Sequence, residues 1–356
     1  MSAGIPKKSS CYTDSTADFT AMLDHNRKIV IKDFGEPATA ATLEIGTITE
    51  PSKGQILVRT SFAPVNPADI NILEGRYGNL PVLPATIGTE GSGRIIATGS
   101  DVPDLDEGDH VFYLSRSDCW QDYVTCTRDQ IIKLPDELPT DSSCMLKINP
   151  ATAWLLLNQE DSTNPKAWIV QNAANSGVGR AVIAIAREMN LQTINLVRRG
   201  ELIQPLLEAG GNIVVMDNDE GKKTALDAIG EDPVALALNA VGGESALRIM
   251  SMLSKGGTHI TYGAMGKRPL KVPNSLIILK NLQLRGLWLT QWLEGAEYRE
   301  IEAVYSNLCN LMLAGTLQQP VDAIFPPEDI SNAIARSSEN KRSGKVLLDF
   351  RTEFNK

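Results

Sequence analysis

The strand-like run Ala167-Trp168-Ile169-Val170-Gln171-Asn172 leads into Asn175-Ser176-Gly177-Val178-Gly179, and an apolar-periodic segment from Arg180 to Met189 follows at once. Strand, glycine turn and helix in that order leave a chain few options. Glycines at the turn let the backbone approach a pyrophosphate, and the free N–H groups and positive dipole of the next helix attract its charge. A lone Gly-x-Gly would carry little weight, but here a second strand, Gln192 to Val197, ends about 20 residues after the glycines, where dinucleotide folds read the adenosine ribose. A carboxylate at that place binds a 2′-hydroxyl. This strand ends in Arg198-Arg199, two planar, permanently charged forks that suit a 2′-phosphate, so the pattern points to NADP rather than NAD. The plainer alternative is a glycine-rich turn beside two solvated arginines; the joint occurrence of motif, strand, helix and distal charge weighs against it.

The rhythm of the rest agrees. From about Pro150 to Gln291 strands near Trp168, Ile194, Val214, Leu236, Ile260 and Leu284 alternate with helices, which specifies an α/β unit: a doubly wound six-stranded parallel sheet of the Rossmann type. From Lys28 to Leu134 the segments are short, β-rich and punctuated by Gly and Pro: Ile29 to Ile31, Ile56 to Val65, Gly93 to Thr98, His110 to Leu114 and Gln130 to Leu134. They read as a barrel-like or strongly bent β domain. After Trp292 come an amphipathic stretch from Glu297 to Leu313, a strand from Val321 to Phe325, a helix near Ile330 and a last strand from Lys345 to Phe350. A completed six-strand sheet has no place for that last strand, so the C-terminal piece is expected to fold back onto the first domain. The expected division is a polar extension over 1–27, a β-rich domain over 28–150 plus 296–356, and a dinucleotide domain over 151–295, with the site in the cleft between them.

Composition excludes several classes. The 356 residues carry 34 basic against 43 acidic groups, a net charge of −9, which argues against a broad nucleic-acid surface or an anionic membrane partner. No apolar run approaches the ~20 residues of a membrane span, and the segment Met1 to His25, with Lys7 and Lys8 among Asp14, Asp18 and Asp24, resembles neither a signal peptide nor an arginine-rich transit peptide. Cys11, Cys119, Cys126, Cys144 and Cys309 are scattered and odd in number, so neither a disulfide framework nor a zinc ribbon is indicated, and a reducing compartment is expected.

A nicotinamide at the cleft transfers hydride, so the protein must place an electrophilic carbon beside it and supply a proton to the anion that forms. Asn66-Pro67-Ala68-Asp69-Ile70-Asn71 ends a strand and leads to the glycine-flanked loop Gly75-Arg76-Tyr77-Gly78, whose phenol can donate that proton. From spacing alone, an aromatic packed on the domain rim fits Tyr77 as well. A catalytic zinc finds no support: His25, His110 and His259 are not spaced with other ligands, Thr89 stands where a metal-binding relative needs His, and Asn66 where it needs Cys. No Gly-x-Ser-x-Gly elbow follows a strand either.

Together Asn66 to Asn71, Gly75 to Gly78, Asn149-Pro150-Ala151-Thr152-Ala153, Asn172 to Gly179, Tyr262-Gly263-Ala264-Met265 and Gly286-Leu287-Trp288-Leu289-Thr290-Gln291-Trp292 resemble the enoyl-thioester reductases of the medium-chain dehydrogenase/reductase superfamily, over roughly residues 30–350. The similarity is to the mitochondrial-type, zinc-free trans-2-enoyl-CoA reductase group. That resemblance implies a GroES-like fold for the β-rich catalytic domain, NADPH as cofactor, and reduction of the C2=C3 double bond of enoyl-CoA or enoyl-acyl-carrier-protein in fatty-acid synthesis. It assigns Tyr77 as proton donor and Asn149 to the nicotinamide side. Asn175, Ser176, Gly177 and Val178 fall on the pyrophosphate turn, and Arg198 and Arg199 on the 2′-phosphate segment. Tyr262, Gly263, Ala264, Met265, Leu287, Trp288, Leu289 and Lys345 match the remaining cofactor contacts. Gly200 stands where the family often has a further arginine, and Ala264 where it commonly has Gly.

The expected chemistry is hydride delivery to C3 of the enoyl thioester and protonation of C2 by Tyr77. Trp288 and Trp292 are expected beside the acyl pocket, although core or interface packing fits their composition equally. A zinc-free quinone or 2-alkenal reductase is the alternative enzyme, and a non-catalytic dinucleotide-binding protein the alternative class. By analogy a homodimer is expected, cytoplasmic or, in a eukaryote, in the mitochondrial matrix.

Overall fold

The computed structural model describes residues 25–114, 118–158, 166–339 and 342–352. Most of the expected polar extension therefore lies outside the described residues. Asn26 and Arg27, counted with it above, instead open the first strand. The Arg27 guanidinium is buried there because Asp122 and Glu328 both pair with it at 2.8 Å, and the Thr352 carbonyl accepts a further bond at 2.6 Å, tying the start of the fold to its end.

The first part of the chain supplies β1 (Asn26–Ile31), β2 (Ala41–Gly46), β3 (Gln55–Pro64), β4 (Ala85–Thr86), β5 (Ser92–Thr98), β6 (His110–Tyr113), β7 (Tyr123–Thr127) and β8 (Ile131–Lys133). The middle supplies β9 (Trp168–Gln171), β10 (Gln192–Val197), β11 (Ile213–Met216), β12 (Val234–Asn239), β13 (Thr258–Thr261) and β14 (Gln283–Gly286), and the end β15 (Val321–Phe325) and β16 (Lys345–Asp349). The expected strands all form. Those the reading did not announce, β2, β4 and β7, lack a strong pattern: β2 is mostly half-exposed, β4 has two residues, and β7 is a short run interrupted by threonine.

Strands β9 to β14 form a six-stranded parallel sheet in the order β11-β10-β9-β12-β13-β14. Its centre reads as continuous apolar sequence because both faces are covered. Trp168 and Val170 of β9 face one core, with Ile194, Leu196, Ile229 and Ile249, whereas Ile169 faces the other, with Leu156, Ile185 and Leu238. Strand order reverses between β9 and β12, so the crevice of such a sheet opens at the carboxyl ends of these two strands.

The β-rich part is a seven-stranded sheet, β15-β16-β3-β5-β6-β8, with β7 also pairing β3, beside a small sheet β2-β1-β4. The C-terminal strand does fold back: β16 runs antiparallel to β3, with Leu347 opposite Pro64. The two halves are welded by the helix Tyr298–Leu313, which buries Ile301, Val304, Tyr305, Leu308 and Met312, an i, i+3, i+4 stripe. Tyr305 packs edge-on against Phe112 at 4.7 Å, and its hydroxyl donates to the Lys147 carbonyl at 3.0 Å.

Candidate active site

Most of the residues singled out by sequence for the cofactor gather at the carboxyl ends of β9, β10, β13 and β14, whereas Tyr77, Asn149 and Lys345 come from other parts of the chain. After β9 the chain turns through Ala173, which holds φ +48°, a left-handed conformation uncommon outside glycine, and enters the helix Gly177–Glu188. The Ser176 hydroxyl caps that helix by accepting the Gly179 N–H at 3.1 Å. A Cβ on Gly179 would lie 2.6 Å from the Ala174 carbonyl oxygen, and one on Gly177 would lie 2.8 Å from the Asn149 amide, so neither position has room for a side chain. The turn is aimed from beneath by Gln171, whose buried amide donates to the Gly179 carbonyl at 2.9 Å and to Asn195 at 2.7 Å. Asn172 does the same for the next strand, donating to Asn239 at 2.9 Å and accepting the Ala240 N–H at 2.8 Å. Buried amides inside apolar strands were a signal in the sequence that the pattern reading passed over.

Asn149 begins the helix Asn149–Leu157, and its buried Nδ2 has no hydrogen-bond partner among the described residues. Tyr262 follows β13; burial pushes its phenol well up, and its hydroxyl lies beside the Ser176 side chain without a hydrogen bond of normal geometry. Two unsatisfied donors thus converge on the glycine turn, a feature that calls for a polar ligand. Asn175 accepts a long bond from the Arg180 side chain at 3.4 Å, and Val178 packs on the core. Gly263 lies against Ala240, the Met265 N–H donates to the Ala240 carbonyl at 2.9 Å, and Ala264 is exposed. At the end of β10, Arg198 is exposed and Arg199 makes a 3.4 Å contact with Glu201. Arg198 and Arg199 follow the strand paired directly with the one that leads into the glycine turn.

Across the cleft, Tyr77 and Trp288 meet although 211 positions apart: the indole Nε1 donates to the phenol oxygen at 3.2 Å, and the rings pack edge to face at 6.3 Å. Leu287 and Leu289 on either side anchor the Trp288 segment, Leu289 buried and the Leu287 N–H bonded to the Thr261 carbonyl at 3.0 Å. Trp292, one turn on, is half-buried against the same core. A second link crosses nearby, where Lys267 bonds both carboxylate oxygens of Glu74 at 3.1 Å.

Lys345, at the start of β16, is buried, and its ammonium donates to Asn66 Oδ1. Burial pushes that ammonium down to about 8, against the pull of Glu90. Asn66 and Thr89 stand where a metal-binding relative needs Cys and His, and Glu90 follows Thr89 directly. Here they form a polar cluster with Asp69 and Lys147: Asn66 Nδ2 donates to Glu90 at 2.9 Å, the Thr89 N–H to Asp69 at 2.8 Å, and Lys147 to the Thr89 carbonyl at 2.6 Å. Zinc does not fit this donor set. The amide of Asn66 is already committed to a carboxylate and an ammonium, a cation already occupies the place beside it, and no group of three His, Cys, Asp or Glu lies in ligating range among the described residues.

Residues 52–136 match the alcohol dehydrogenase GroES-like domain, and residues 177–306 the zinc-binding dehydrogenase domain. The mitochondrial enoyl-[acyl-carrier-protein] reductase of Xenopus tropicalis is 36% identical over 331 residues, covering 90% of this chain and 95% of the relative. Among solved structures, a mutant enoyl thioester reductase from Candida tropicalis is 26% identical with a TM-score of 0.81, and the complex of Etr1p with NADP and crotonyl-CoA is 26% identical with a TM-score of 0.82. Each covers 91% of this chain and 99% of its own. With a Rossmann sheet, a GroES-like domain and relatives matched from end to end, the chain belongs to the medium-chain dehydrogenase/reductase superfamily, in its enoyl-thioester reductase group.

Proposed function

We propose that this protein reduces the C2=C3 double bond of trans-2-enoyl thioesters with NADPH. The observation that carries the reading is the meeting of Tyr77 and Trp288 from the two parts of the chain, in a fold whose nucleotide turn has no room for a Cβ at Gly179. Its relatives fit: the Xenopus protein is named for enoyl-acyl-carrier-protein reduction, and the Etr1p complex holds NADP and crotonyl-CoA.

The residues present suit the cofactor. Asn175, Gly177 and Val178 offer the backbone of the turn, and Ser176 caps a helix N-terminus, for a pyrophosphate. Arg198 and Arg199 offer guanidiniums to a 2′-phosphate. Asn149, Tyr262 to Met265, Leu287 to Leu289 and Lys345 would line the nicotinamide end. When bound, NADPH supplies hydride to C3 of the substrate. Tyr77 supplies the proton to C2: because its oxygen accepts the indole N–H, its own hydrogen is free to point into the cleft, and the same bond stabilises the phenolate as the proton leaves. Trp288 and Trp292 give the acyl chain an apolar wall. In this division of labour residues 28–150 plus 296–356 bring the acid, and 151–295 hold the nucleotide.

A homodimer is part of the proposal. Strand β14 ends the parallel sheet with all four residues exposed, and Ile278 and Leu279 beside it are 74% and 73% exposed, an open edge with an apolar flank that a second copy would cover. No helix among the described residues is long and apolar enough to cross a membrane. The mitochondrial matrix is the proposed compartment, following the relatives. A panel of enoyl thioesters from crotonyl to long-chain, with NADPH and NADH, tests reaction and cofactor together. Saturation of the alkene with NADPH preferred is expected; oxidation of NADPH by quinones but by no thioester would refute it.

A further inference from the structure

We propose that Glu90, which touches neither proposed ligand, is a positioning residue for the nicotinamide end of the site, fixing Lys345 through Asn66 and Asn149 through the backbone of Ile148. The inference rests on the reading of Lys345 and Asn149 as cofactor contacts. Glu90 is fully buried, with one carboxylate oxygen accepting the Ile148 N–H at 2.8 Å and the other accepting Asn66 Nδ2 at 2.9 Å. The Asn66 amide can then be oriented only one way. Its NH2 must face the carboxylate, which leaves its oxygen to receive the Lys345 ammonium. Glu90 thus sets the place of a cation on β16 and of the helix start that carries Asn149, two segments that meet nowhere else in the sequence.

The cluster is held from outside as well. Asp69 accepts the Asn66 N–H at 2.7 Å and the Thr89 N–H at 2.8 Å, and Lys147 donates to the Thr89 carbonyl at 2.6 Å. Two carboxylates and two ammoniums therefore share one dry cluster that offers its members a single arrangement. Such burial is costly, and a stability role alone would be served better by apolar side chains. Burial lowers Lys345 to about 8; of the groups facing it, Glu90, Asp69 and the Cys144 thiol act to raise it again, and Arg342 to lower it further. Burial also pushes the Glu90 carboxyl up, while Lys345, Ile148, Asn66 and Lys147 act to lower it.

The test is NADPH binding, read by nucleotide fluorescence from about pH 6 to about pH 10, where a lysine lowered this far titrates. In the unmodified protein affinity falls as pH rises through about 8, because only the ammonium attracts the cofactor's negative charge. Glu90→Gln removes the counter-charge and turns an NH2 toward another donor. Its Kd is expected to rise about tenfold, as for other supporting residues behind a ligand, and the fall in affinity to begin about one pH unit lower. Lys345→Arg should abolish that fall, and in Lys345→Met no fall between about pH 6 and about pH 10 should remain for Glu90→Gln to shift. A Glu90→Gln profile identical to the unmodified one, beside a Lys345→Met that has lost affinity, overturns the proposal alone. Unchanged binding in Lys345→Met overturns it at the root, with the reading of Lys345. If Glu90→Gln does not fold, Asn66→Ala keeps every charge and removes only the bridge; a Kd within about twofold of the unmodified protein would overturn the proposal, and a tenfold rise would uphold it.

Discussion

Replacing Arg198 and Arg199 together by alanine separates a specific phosphate site from general nucleotide binding. Each charge-assisted hydrogen bond to a phosphate is worth about 1.5–3 kcal/mol. Arg198 is exposed, with no ion pair among the described residues, so it comes to a ligand free. Arg199 must first release Glu201, at 3.4 Å with that carboxylate's side chain 66% exposed, a contact worth about 0–1 kcal/mol. Two contacts less this release leave about 2–6 kcal/mol, which at about 1.4 kcal/mol per decade is a loss of about 10- to 10⁴-fold in kcat/KM for NADPH. NADH has no 2′-phosphate, so its kcat/KM should change less than about threefold. Initial rates with both nucleotides on one enoyl thioester give the ratio, in which any general damage cancels. Equal losses with NADPH and NADH would refute the assignment, whatever their size.

Tyr77→Phe should lower kcat at least about 10²-fold, the usual worth of a positioned acid, with NADPH affinity unchanged; full activity in steady-state assays would end its role as donor. Gly179→Ala puts a methyl 2.6 Å from the Ala174 carbonyl and 2.7 Å from that of Ala173, backbone atoms that cannot step aside, so NADPH binding by calorimetry should collapse and thermal unfolding fall by about 1–3 kcal/mol. His110 and His259 are both fully buried, and burial holds each down to about 4. The unfolded chain takes up these protons near about pH 6.5 while the fold refuses them, so stability falls as pH drops from there to about 4, by up to about 3 kcal/mol for each ring. Neither ring nitrogen of His259 has a hydrogen-bond partner among the described residues, so in urea titrations His259→Leu should flatten this decline; an unchanged slope would contradict that role for the ring.

The fold was legible because two independent periods run through the chain. Alternating strand and helix over residues 150–291 specify the parallel sheet, and the surplus strand at Lys345 had to pair elsewhere, as it does with β3. The glycine turn was legible for a steric reason: its neighbours leave no room for a Cβ. Short strands such as β4 were not, because two residues carry no period. Nor was the Glu90 cluster. Its members come from four places in the chain, and a buried Glu and a solvated Glu look alike in sequence; only the improbable Asn66 and Thr89 at metal-ligand positions hinted at it. The pairing of Tyr77 with Trp288 likewise depends on how two domains close, which no local pattern encodes.

In the proposed reaction NADPH gives hydride, and the protein a proton, to the two carbons of an enoyl thioester's double bond. Reducing a crotonyl thioester with NADPH deuterated at the transferring carbon, in ordinary water, tests it most directly by mass spectrometry and NMR of the product. One deuterium at C3 and ordinary hydrogen at C2 is the expected result, with C2 labelled instead when the solvent is heavy water and the nucleotide is not. Deuterium at C2, or nucleotide oxidation that leaves the double bond intact, would contradict it.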